Sequence, residues 1–193
     1  MSAPASSVDA DAADHVHHTD HVHHTGHVHH TDHVHHTDPA DHARVEELLG
    51  RAPQGAYRVV VRDASGDPVV LRNAPLLDDG TPMPTRYWLV GPATHLAVSR
   101  LEAAGGVRAA EADIDPQLIA DAHHRYAAER DAAMPPDHAG PRPTGGVAGT
   151  RRGVKCLHAH YAWYLAGGDD PVGAWVQARL DEDRALTHPG RTR

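Results

Sequence analysis

The chain has 193 residues, a formal net charge of -8, 20 histidines, one cysteine and no phenylalanine. That length holds one domain of ordinary size plus a tail, and an apolar share of 40% falls below the ~45–50% of an average globular domain, so part of the chain is expected to stay unpacked. No run approaches the ~20 apolar residues of a membrane helix, no basic patch argues for nucleic acid, and the lone Cys156 excludes an internal disulfide and a four-cysteine zinc site.

The first segment in chain order is a tail over residues 1–41. It carries seven of the 26 acids and no Lys or Arg, which leaves 19 acids against 18 bases in the rest of the chain. The negative charge therefore belongs to the tail. Met1 to Ala13 has neither the basic start nor the apolar core of a secretory signal, so a cytoplasmic protein is the default expectation. Residues 15–38 are four copies of a six-residue unit, HVHHTD or HVHHTG. One Val per unit is too little to bury a core, so the segment is expected to be disordered.

Twelve histidines lie in this repeat: His15, His17, His18, His21, His23, His24, His27, His29, His30, His33, His35 and His36. Neutral imidazole is a good ligand for zinc, nickel and copper. In an extended chain alternate residues share a side, so each unit presents a pair such as His15 and His17. Asp20, Asp32 and Asp38 could add oxygen ligands. Three readings stay open: a solvated low-complexity tail, a trap for divalent metal ions, and a proton switch near the ordinary histidine pKa of about 6.5.

The body, residues 42–186, reads as strands followed by helices. Asp41 suits the cap of a short helix from His42 to Leu49, with Gly50 as its stop. Tyr57 to Arg62 is a strand rich in β-branched residues. Asp63 to Pro68 turns it into a return strand over Val69 to Arg72. A Pro/Gly-marked loop over Leu76 to Pro84 leads to a third strand, Thr85 to Val90. Pro92 opens a helix to about Ala104 that Gly105-Gly106 ends, and Asp115-Pro116 opens another to about Ala133. Pro135 to Gly153 is a connection long enough to be functional or disordered. Val154 to Ala166 is the most apolar helix, and Pro171 begins a last one through Leu180, with a frayed end at 187–193. The fold class is α+β: a small three-stranded antiparallel sheet followed by about four helices.

Reactive groups concentrate in one place. Lys155, Cys156, His158 and His160 fall within six residues, behind a basic loop with Arg151 and Arg152. If the helix starts at Val154, Cys156 and His160 share a face, and Lys155 and His158 share another. The loop, the helix dipole and Arg151, Arg152 and Lys155 would suit a phosphate or carboxylate. Cys156 in the first turn would gain thiolate character. Lys155, Cys156 and His158 are therefore the catalytic candidates, although buried packing roles for Cys156 and the histidines are the simpler alternative. A Cys-x-x-x-His pair gives two metal ligands where a structural zinc takes about four, and no spacing brings His95, His123 or His124 near. The loop Leu77 to Thr85 is a second candidate, with Asp78 and Asp79 as carboxylates at a site mouth.

Leu48-Leu49-Gly50-Arg51, Asp79-Gly80-Thr81-Pro82-Met83-Pro84-Thr85 followed by Tyr87-Trp88-Leu89, Ser99-Arg100-Leu101-Glu102, and Val154-Lys155-Cys156-Leu157-His158 occur in this order. Over about residues 42–180 the chain thereby resembles the bacterial domain of unknown function 501 family. The resemblance implies a small cytoplasmic protein of high-GC Gram-positive bacteria with no established activity. It also implies gene neighbours of the septum-initiator and exopolyphosphatase-like kinds, and through them a link to cell division or phosphate metabolism. The resemblance further implies a cysteine at the first hairpin turn, where this chain has Asp63. Three functions are thus in view: an uncharacterised domain with a metal-binding tail, a small enzyme or anion-binding module using Arg151 to His158 on a phosphorylated small molecule, and an interaction partner of a cell-division protein.

Overall fold

The computed structural model of the chain describes residues 39–187. The histidine repeat, with all twelve ligand candidates from His15 to His36, lies outside the described residues. The described part is α+β, with a three-stranded antiparallel sheet and six helices.

Strands β1 (Tyr57–Arg62) and β2 (Pro68–Asn73) form the hairpin, and β3 (Tyr87–Leu89) pairs with the other edge of β2. Asp63 closes the hairpin turn locally: its carboxylate accepts from the Ser65 and Asp67 amides at 2.9 and 3.0 Å. The central strand is buried on both faces. Val70 points into the main core and Leu71 into a smaller one on the opposite side, which is why Val69 to Leu71 is a continuous apolar run rather than an alternation.

Helix α1 (Pro39–Leu49) covers the smaller core, where Val45 packs with Tyr57, Leu71 and Val90. It begins three residues before the expected His42, because Pro39 suits a first helical turn. Asp41 is therefore inside the helix rather than its cap, and its carboxylate holds Arg62 at 2.6 Å. The main core lies on the other face, under α2 (Pro92–Ala103), α4 (Pro116–Ala132), α5 (Leu157–Leu165) and α6 (Pro171–Thr187). Tyr126 of α4 meets Trp163 of α5 edge-on, with ring centroids 5.2 Å apart. Val98, Leu157, Val172 and Val176 are fully buried beside them. Gly173 lets α6 start directly against α5: a Cβ there would lie 2.2 Å from Tyr164 Cβ and 2.9 Å from the His160 carbonyl.

One expected helix end holds, one helix was missed, and two expectations need correction. Gly105 ends α2 as expected, with a left-handed φ of 91°, but Gly106 is the first residue of a further helix, α3 (Gly106–Asp113). The missed signal is Val107, Ala110 and Ile114 at helical spacing. Next, α5 begins at Leu157, not Val154, with Cys156 as its N-cap at φ -162°. Finally, the Pro/Gly-rich connection is held in place over part of its length. Val147–Gly149 forms a 3-10 turn whose Val147 is fully buried, and the Val147 amide donates to His123 Nδ1 at 3.1 Å. No helix among the described residues is long and apolar enough to cross a membrane.

Candidate functional site

Helix α2 presents His95, Ser99 and Glu102 on one face, since they are four and three residues apart. The N-terminus of α5 meets that face. There the Leu157 amide donates to Glu102 Oε1 at 2.5 Å. A carboxylate suits the unpaired amides and positive dipole of a helix start. Cys156, as N-cap, accepts the Ala159 amide on Sγ at 3.4 Å. Because Cys156 sits just outside the helix, it does not form an i, i+4 pair with His160. It pairs instead with His158.

The His158 ring is fixed on both sides. Nδ1 lies 3.2 Å from Glu102 Oε1. Nε2 lies 3.1 Å from Ser99 Oγ and 3.3 Å from the His95 carbonyl. A carbonyl can only accept, and the Ser99 hydroxyl donates its own proton to that carbonyl at 2.9 Å. Nε2 therefore carries a hydrogen. Nδ1, left facing a carboxylate, must be filled by a proton or a cation. In the metal-free chain the hydrogen bond with Cys156 and the charge of Glu102 raise the His158 pKa above its ordinary value, against the opposing effect of burial. His95, whose ring centroid is 4.4 Å from that of His158, is pushed the other way by burial and by its neighbour's charge.

Glu102, Cys156 and His158 each offer one ligand atom, and these atoms lie within 4.8 Å of one another. Cys156 and His158 also line a groove of ≈ 320 Å³ along β3, walled by Leu49, Tyr87, Trp88, Leu89 and Val90. Arg51 lies at the same groove, its guanidinium 5.6 Å from the Trp88 ring centroid. Thiolate, imidazole and carboxylate are the donors of zinc sites, and three protein donors leave a fourth position open. An imidazole whose other nitrogen donates to a backbone carbonyl is also the usual second-layer arrangement around such a metal. A bare thiolate nucleophile is the competing chemistry. A cation held between the Cys156 sulfur, the Glu102 carboxylate and His158 would engage all three donors at once.

The other sequence candidates lie apart from this cluster. Lys155 Nζ donates to the Ala148 carbonyl at 3.3 Å, and Arg151 and Arg152 are exposed in the preceding bend. None of the three lines the groove. His160 is fully buried with Asp170 at 2.7 Å. His123 bridges Gly153 and Val147, and His124 is exposed. From the loop Leu77 to Thr85, only Thr85 reaches the groove. Asp79 is engaged by its own turn, where the Thr81 amide at 2.8 Å holds its carboxyl below the ordinary range. Asp63 serves the hairpin turn and is not part of the cluster. Glu102 is the residue that sequence reading missed. Its signal was the His95, Ser99, Glu102 spacing on a single helix face.

The family model described as a protein of unknown function (DUF501) matches residues 59–178. That span contains Glu102, Cys156 and His158, while Arg51 precedes it. No curated protein and no solved structure matches the chain.

Proposed function

The chain belongs to the DUF501 family, and for this member we propose a domain that holds a divalent transition metal, zinc by preference, on Glu102, Cys156 and His158. The fourth position faces the groove. A metal so held can polarise a carbonyl oxygen or activate a water for a small bound molecule. The observation that carries this reading is the convergence of three donors of different type within 4.8 Å, two of which, Cys156 and His158, line a groove. The test uses the only thiol in the chain. Zinc added beyond the capacity of the histidine repeat is expected to protect Cys156 from a thiol reagent, and Glu102→Gln is expected to weaken that protection. Equal reactivity with and without zinc contradicts the proposal.

The histidine repeat supports a second, separate reading, as a reservoir for zinc, nickel or copper. Twelve imidazoles without a thiolate make labile sites of moderate affinity. The full chain carrying Cys156→Ser and His158→Gln is expected to bind several nickel ions still. Complete loss of nickel binding in that variant contradicts a metal-binding repeat.

A further inference from the structure

The groove has a definite charge as well as a shape. A divalent ion held by one thiolate and one carboxylate is neutral as a whole, and His158 bound through Nδ1 is neutral too. Among the lining residues Arg51 is then the one fixed charge. Its guanidinium rests on Trp88 and donates to the Ala52 carbonyl at 3.3 Å, and it meets no carboxylate among the described residues. Stacking on an aromatic ring orients the planar fork while leaving its edge free, an arrangement suited to a carboxylate. The rest of the lining is mostly apolar, with Leu49, Trp88, Leu89 and Val90 beside Thr85 and Tyr87. The volume of ≈ 320 Å³ sits at the low end of the roughly 300–1,000 Å³ of small-molecule sites. Among the lining residues Arg51 has no second basic side chain beside it, and one guanidinium balances a carboxylate monoanion rather than a phosphate dianion.

Resting on the metal reading above, we infer that the groove binds a small monocarboxylate with an apolar body. The carboxylate pairs with Arg51, the body lies on Trp88 and Val90, and the far end reaches the open metal position. Affinity comes from burying the body, and selectivity for an acid comes from the single guanidinium.

Equilibrium dialysis of the zinc-loaded full chain tests this with three probes: phenylacetate, its uncharged amide phenylacetamide, and phenyl phosphate. Phenylacetate is expected to bind about tenfold more tightly than the amide and more tightly than the phosphate. Arg51→Gln is expected to reduce phenylacetate to the level of the amide, with Arg51→Lys between the two. Arg51 is exposed, so neither variant should disturb the fold, and the comparison of acid with amide on the unaltered chain decides even without them. Equal binding of acid and amide, tighter binding of phenyl phosphate, or indifference to Arg51→Gln overturns the inference. Cys156 protection is measured on the same samples to separate the two claims. Protection without carboxylate preference leaves the metal site standing and removes the ligand class. Arg51-dependent phenylacetate binding without protection removes the metal site, and with it the ligand's second anchor.

Discussion

Two histidines on one helix, His158 and His160, each face a carboxylate, and they have opposite roles. The His160–Asp170 pair is completely buried, with both side chains at 0% exposure and 2.7 Å between them. Asp170 also accepts from the Val172 and Gly173 amides at 2.9 and 3.2 Å, so it caps α6. That pair joins α5 to α6 and no ligand can reach it. His158 and Glu102 are 18% and 26% exposed, stand beside a thiol and open on a groove. Identical residue types thus serve as a structural pin or as part of the proposed ligand set, according to burial and to what else is within reach. His160 Nε2 is buried without a hydrogen-bond partner, so the pin is held by Nδ1 alone.

The largest effect separating the two pairs is on stability. Asp170→Ala removes the cap and strands a buried histidine, and is expected to lower unfolding free energy by about 3 kcal/mol. Glu102→Gln keeps an acceptor for the Leu157 amide and should cost less than about 1 kcal/mol. Denaturant melts of both variants measure this, and equal losses would erase the distinction.

Metal affinity should sort the same residues in reverse. His158→Gln is expected to weaken zinc at the Cys156 site on the order of 100-fold, while a folded His160→Gln leaves that affinity unchanged. Competition with a chelator reads both. A smaller effect belongs to Ser99, which positions the His158 ring without touching the metal. Ser99→Ala should weaken zinc roughly tenfold, with little change in thermal midpoint.

The smallest effect is on pH dependence in the metal-free chain. His158 should titrate above its ordinary value and His95 below it, as ring NMR signals would report. A raised folded pKa means that His158 contributes stability that is fully present below the unfolded value of about 6.5 and is lost as pH rises through the folded value. The sign for His95 is reversed, with stability lost as pH falls. His158→Gln should abolish the first component and reduce the second, because the charge of His158 is one of the two causes that lower His95.

Much of the scaffold was legible in the sequence. Val59 to Val61 signalled a strand, Asp63 to Pro68 a turn, and Pro92, Asp115-Pro116 and Pro171 marked helix starts through their fixed φ and capping chemistry. The site was legible only in half. The density of Lys155, Cys156 and His158 marked the right segment, yet a helix start at Val154 put Cys156 on the face of His160. Cysteine carries no strong N-cap signal, so the boundary slipped by three residues and with it the pairing. Glu102 reaches the cluster, and Arg51 the groove, through tertiary packing of α2 and of the chain after α1. Local periodicity cannot report that packing.

The most direct test of the metal site is cobalt(II) substitution in the full chain. Cys156 is the only cysteine, so a thiolate-to-cobalt charge-transfer band can arise from no other residue, whatever the histidine repeat binds. The expected result is a near-ultraviolet charge-transfer band with the intense visible bands of a tetrahedral ion, lost in Cys156→Ser and weakened in Glu102→Gln. A full chain that takes up cobalt with histidine-type bands and no thiolate band contradicts a metal at Glu102, Cys156 and His158.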